Sequence, residues 1–173
     1  MSHIGRRQRE LNKRDPHLLL AKLDIAVFVS ANRDNLLRDA LRDIGKEPVV
    51  HLCTWIMHND TPQRIGPELP RDYVPSIQQP LIFQAFGNLE YPTSLVLTED
   101  DYFDFLIAVT RNEAMNAVSI PAPVSSALSG SGLLLLGFQP EDWDFLAALR
   151  DPEAARKRVG RPMLTLGGAD QPD

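Results

Sequence analysis

Apolar runs of strand length alternate along this chain with apolar residues at helical spacing, and several runs break off into polar clusters. The clearest is VFVSANRDNLL, residues 27–37, where a sheet-like run meets Ser30, Asn32, Arg33, Asp34 and Asn35 before Leu36 and Leu37 resume. Residues 24–30 are apolar on both faces, as in a parallel strand covered by helices. From Asp34 onward, Leu36, Leu37, Ala40, Leu41 and Ile44 fall on one helical stripe that Gly45 ends. Before this strand, Asp15-Pro16 pairs an N-cap residue with a proline at the first helical position and predicts a short helix through Leu18, Leu19 and Leu20.

Further along, Pro48 to Cys53 reads as a second strand and PLIFQAFG, closed by Gly87, as a third. A turn through residues 88–92 then predicts a short strand from Leu95 to Leu97. Thr98-Glu-Asp-Asp101 resembles a capping box with acids in the first turn, where the helix dipole favours them. Its buried stripe is expected from Tyr102, Phe105, Leu106 and Val109. A Pro-flanked helix near Val124 to Leu128 precedes SGSG, then the strand LLLLGF and the helix EDWDFLAAL. PMLTLGG either adds a last strand or trails away. Between the second and third strands, residues 59–80 hold five prolines and little periodicity, a long loop that is a surface excursion or a lid.

Alternation of strands and helices predicts an α/β domain, Rossmann-like and three-layered, with a mainly parallel sheet. The expected organisation is a basic arm over 1–14, an α/β domain over 15–150 with the Pro-rich loop 59–80, and a C-terminal helix or short strand and tail over 151–173. In such sheets ligands bind beyond the carboxyl ends of the strands. Three strand ends carry polar or glycine-bearing tips: SANRD, the FG after LIFQA, and GFQPED. Each is also readable as an ordinary helix cap or turn.

Composition narrows the function. The chain of 173 residues is 43% hydrophobic, enough for a core without covalent staples. Its single cysteine, Cys53, excludes an internal disulfide framework and a multi-cysteine zinc site. The longest apolar run, Leu133 to Leu136, is far too short to span a bilayer, and the N-terminus lacks a signal-like apolar segment. These features point to a cytoplasmic protein. A net charge of −5 argues against general nucleic-acid binding, despite the local cluster Arg6, Arg7, Arg9, Lys13 and Arg14.

The segments VSANRDNLL, QAFGNLE, SLVLTEDDYFDFL and LLLLGFQPEDWDF, in that order, resemble the bacterial sirtuin-like (silent-information-regulator-like) domains that bind and often consume NAD. In that family an apolar strand ends in Thr-Thr-Asn-Tyr-Asp, a later strand ends in His-Gly, and Leu-Thr-Glu-Asp-Asp-Tyr and a Leu-Gly-Tyr strand end follow. The resemblance covers about residues 16–150. It implies catalytic roles for Asn32 and Asp34 at the nicotinamide and ribose end of NAD. It further implies cofactor contacts from Ser30, Asn32, Gly87, Gly137 and Phe138, with NAD or ADP-ribose as ligand. An amide both donates and accepts, which suits a carboxamide and a ribose hydroxyl.

The departures are as specific. The family histidine, a general base towards the ribose, falls at Phe86, and loss of a general base typically costs roughly 10²–10⁴ in rate. His3, His17, His51 and His58 match no family position. No zinc module of four cysteines is possible. The family's first strand and glycine-rich phosphate-cradling turn have no counterpart before Asp15-Pro16, and SGSG precedes a strand instead of following one. Without that strand the sheet is expected to need cover from a second copy or a partner chain. Three readings stay open: a degenerate sirtuin-like domain with weak NAD binding and impaired or absent hydrolysis; an active NAD glycohydrolase, possible in a defence system, completed by an upstream segment, a partner or His51; and a structural or interaction module that binds no nucleotide.

Overall fold

The architecture comes from a computed structural model that describes residues 15–58, 61–110, 120–137 and 163–166. Helix α1 (Pro16–Ala21) starts where Asp15 accepts hydrogen bonds from the His17 and Leu18 amides at 2.9 and 3.2 Å, with Pro16 at the first position. The cap supplies acceptors that the first turn lacks, and proline leaves no amide to satisfy. At the other end, the buried Lys46 ammonium donates to the Ala21 and Leu23 carbonyls at 2.8 and 2.9 Å. A cation there satisfies orphan carbonyls and meets the negative end of the helix.

Strand β1 (Val27–Ser30) leads through the polar corner to α2 (Leu36–Asp43), then β2 (Val49–Leu52). Two short strands, β3 (Met57–His58) and β4 (Thr61–Pro62), form an antiparallel pair. After an irregular stretch comes β5 (Leu81–Gln84), then a 3₁₀ turn over Pro92–Ser94, α3 (Glu99–Thr110), α4 (Ala122–Gly130), β6 (Leu133–Leu136) and β7 (Met163–Leu166).

The order in the main sheet is β1-β5-β2, all parallel. Val27 pairs with Leu81 and Ser30 with Gln84 on one side of β5, while Val49 and Leu52 take the same positions on the other. Every residue of β5 is buried, which is why LIFQ reads as a continuous run and not as an alternating one. Alternation along the strand sends Leu81 and Phe83 into one core and Ile82 into another. Ile82 meets Phe28, Ala21, Ala40 and Leu41, so α1 and α2 cover that face. Leu81, Phe83 and Ala85 meet Cys53, Trp55, Val96, Phe105, Val124 and Leu135 on the opposite face. Burying a side chain such as Phe83 fully is worth about 1.5–3 kcal/mol. The chain is thus a mixed α/β fold with a mainly parallel sheet covered on both faces, as the alternation of elements predicts.

Several expectations need adjustment. Leu95 to Leu97 make no sheet ladder. Pro92 has no amide to donate and opens a 3₁₀ turn, and only the Val96 amide reaches strand-ward, to the Phe86 carbonyl at 3.2 Å. The loop expected over 59–80 contains β4 at its start, and the ladder of β1 begins at Val27, not at residue 24. The capping box at Thr98 does form: Asp101 accepts from the Leu97 and Thr98 amides and its own amide donates to the Thr98 hydroxyl. Those bonds hold the Asp101 carboxyl below its usual range. Phe105 is buried as expected, while the Leu106 and Val109 side chains and the EDWDF helix lie outside the described residues. PMLTLGG does supply a strand, since β7 pairs parallel with β6 from Leu133–Met163 to Leu136–Leu166.

Candidate functional site

Because β1 and β5 run parallel in register, their carboxyl ends lie side by side, and the Ala85 amide donates to the Ser30 carbonyl at 3.0 Å. The polar corner after β1 is built from short-range bonds. The Ser30 hydroxyl accepts from the Asn32 amide at 3.1 Å, which turns the chain out of the strand. Asp34 Oδ1 accepts from the Leu36 amide at 2.9 Å, an Asx turn that leads into α2, whose N-cap position is Asn35. The Asn32 side chain is exposed at the tip.

The corner is then clamped from the neighbouring strand. Gln84, the buried last residue of β5, donates through Nε2 to the Asp34 carbonyl at 2.7 Å. Its Oε1 accepts from Asn88 Nδ2 at 2.6 Å, and the same Asn88 amide donates to Asn35 Oδ1 at 2.7 Å. Asn88 Oδ1 accepts from the Glu90 amide at 2.7 Å, so both ends of its side-chain amide are engaged. The Leu89 amide donates to the Arg33 carbonyl at 2.9 Å. Outside this network, Arg38 grips Glu90 with two bonds of 2.9 and 3.0 Å, which tie α2 to the 88–90 turn. That pairing raises the Arg38 pKa and lowers that of Glu90. Glu90 is half exposed, so the pair is screened and its contribution is small.

Gly87 sits beneath this turn at φ +81°, and a Cβ there would overlap the Ser94 backbone carbonyl and hydroxyl. Ser94, fully buried, is a junction: its hydroxyl accepts from the Asn88 amide at 3.0 Å and donates to the Tyr91 carbonyl at 2.6 Å. Its carbonyl accepts from Trp55 Nε1 at 2.9 Å. The glycine is therefore needed for packing of the protein's own backbone.

Phe86 is half-buried and set edge-on to Phe105 and Tyr102, with ring centroids 5.2 and 6.0 Å away. The Arg33 guanidinium lies 6.0 Å from its ring centroid and donates to the Val96 carbonyl at 2.6 Å. Among the described residues, the neighbours of this ring are the Tyr102 and Phe105 rings and the Arg33 guanidinium. His51 lies elsewhere, buried and stacked on Phe83 at 6.3 Å. Burial lowers its pKa below the ordinary histidine value.

The structure thus brings Ser30, Asn32, Asp34 and Gly87 to the adjacent ends of β1 and β5. Gly137 follows β6, whose ladder partner is β7 and not the three-stranded sheet; it has φ +71° and a Cβ there would meet nothing within 4 Å. Phe138 lies outside the described residues. Gln84, Asn88 and Ser94 are absent from the sequence-based candidates. The available signal was a glutamine at the end of an otherwise apolar strand, four residues before an asparagine. Among the described residues, no group of three or more His, Cys, Asp or Glu side chains is placed to hold a metal ion. No described helix is long and apolar enough to cross a membrane.

A family model described as a SIR2-like domain matches residues 26–172. No curated protein matches the chain.

Proposed function

The chain belongs to the family of SIR2-like domains, and from that premise we propose that it is an NAD-associated domain with a degenerate site, which binds the dinucleotide weakly and does not hydrolyse it. The observation that carries this reading is Phe86. It stands where the resemblance places the family's proton acceptor, and it is packed among Tyr102, Phe105 and Arg33. A phenyl ring cannot accept the ribose proton, and the surrounding rings offer no substitute.

The nicotinamide side retains partial complementarity. The exposed Asn32 amide can donate to a carboxamide oxygen and accept from a ribose hydroxyl, with Ser30 and the 84–88 turn beside it. Asp34 acts through the fold of the tip, because its Oδ1 is committed to the Leu36 amide in the turn that enters α2. The open space at Gly137 would admit the close approach of a dinucleotide backbone, with Phe138 next to it. NAD supplies the scissile bond between nicotinamide and ribose, and this chain supplies orientation without a base.

The phosphate side fits poorly. Ser129 and Gly130 of the SGSG sequence close the last turn of α4, where the Ser131 amide is already donated to the Ala127 carbonyl at 3.0 Å. A helix C-terminus presents carbonyl oxygens and negative potential, the opposite of what a pyrophosphate needs. Calorimetric titration with NAD is expected to give a dissociation constant in the high micromolar range or weaker, about −6 kcal/mol at most. Asn32→Ala, at an exposed position, should abolish that binding without lowering thermal stability. Submicromolar binding would overturn the proposal.

A further inference from the structure

We propose that residues 63–80 form a strap over the edge of the sheet which neutral His51 keeps closed and protonated His51 releases. Strand β2 has β5 on one side and, among the described residues, no strand on the other. The strap wraps this edge. Gly66, at φ +83°, lies against Leu52 so closely that a Cβ would come within 2.9 Å of Leu52 Cδ1. Leu69 and Tyr73 pack on the core cluster that contains Cys53 and Phe83. The strap has no helix or strand of its own, and its internal ties are single bonds: Tyr73 Oη and the Ser76 amide to the Gln79 carbonyl, the Gln79 amide to Ser76 Oγ, the Tyr73 amide to the Pro70 carbonyl, and an ion pair between Arg64 and Glu68.

His51 is the polar group trapped under it. Both ring nitrogens are inaccessible and neither makes a hydrogen bond. A neutral imidazole tolerates that arrangement at a cost, but an imidazolium adds a second donor and a charge with no partner, which is far more unfavourable. From β5 the ring faces uncharged Phe83; the charged groups acting on it are Arg64 and Glu68, both on the strap. Burial dominates and lowers its pKa. The Pro67 backbone tempers this without completing a hydrogen bond of good geometry, Arg64 adds to it, and Glu68 opposes it. Opening returns the ring to water and to an ordinary pKa of about 6.5. The closed state is therefore fully favoured above about pH 6.5 and loses stability as the pH falls below it. The strap gives way before the sheet because β2 is laddered to β5 along its length, while the hydrogen bonds that tie the strap to its surroundings lie near its ends, from the Gln63 amide to the Ile56 carbonyl, the Glu47 amide to the Gln78 carbonyl and Gln79 Nε2 to Glu47.

Cys53, the single cysteine, is a built-in reporter. It is buried two residues beyond His51, and burial pushes its thiol pKa up, so it reacts only on opening. The full chain is labelled with dithiodipyridine, a disulfide that thiols attack even at acid pH with release of thiopyridone, and the rate is normalised to that of free cysteine. Between about pH 7.5 and about pH 5.5 the normalised rate should rise by up to about tenfold, with far-UV circular dichroism unchanged. His51→Phe should remove the rise. Arg64→Gln and Glu68→Gln, at exposed positions, break the same ion pair but should move the midpoint of opening in opposite directions, up for Arg64→Gln and down for Glu68→Gln. A pH-independent rate, a rise that coincides with loss of secondary structure, or midpoints that move together would overturn the proposal.

Discussion

Gly87→Ala is expected to destabilise the protein by about 2–5 kcal/mol, combining positive-φ strain of about 1–2 kcal/mol with overpacking of about 1–3 kcal/mol. The new methyl group would overlap the Ser94 carbonyl and hydroxyl, and these are backbone and junction atoms that cannot swing away. Moving Ser94 breaks its bonds with Asn88, Tyr91 and Trp55 together. A loss of that size is a large share of the roughly 5–15 kcal/mol that a domain typically has. Denaturant unfolding monitored by circular dichroism should show the midpoint fall sharply. An unchanged midpoint would mean that the 86–94 turn relaxes freely, contrary to the buried network described above.

Asn88→Ala is expected to cost about 2–4 kcal/mol. Its amide donates to the buried Gln84 Oε1 and the half-buried Asn35 Oδ1, and leaving a buried acceptor unpaired costs about 1–3 kcal/mol, less where water reaches it. The Glu90 amide also loses its acceptor, but the turn is exposed there and water can replace it. Because Gln84 in turn holds the Asp34 carbonyl, the two residues act as one clamp on the β1 tip. A double-mutant cycle with Gln84→Ala should therefore be strongly non-additive. Additive losses would show that the two side chains stabilise the tip independently.

Much of the fold was legible because its elements are locally consistent. Asp15-Pro16 caps a helix by its own chemistry, Thr98 and Asp101 form their reciprocal cap within one turn, and Leu81, Ile82 and Phe83 are apolar in succession because both faces of β5 are covered. The SANRD tip was legible as polar chemistry at a strand end: Asp34 turns the chain into α2 and Asn32 stays exposed. The clamp was not legible. Gln84, Asn88, Asn35 and Ser94 are brought together by the β1-β5 register and by the turn that Gly87 permits, and no periodicity encodes those distances. Leu95 to Leu97 misled for the opposite reason. They have strand-like composition, but the preceding proline turn sets their course.

Incubation of the full chain with NAD, followed by chromatographic separation of the products, tests the central claim most directly. With a phenyl ring at position 86, nicotinamide should not appear faster than in a protein-free control. Nicotinamide and ADP-ribose released at a rate proportional to protein, and lost in Asn32→Ala, would contradict the account and show that the strand-tip site retains catalysis.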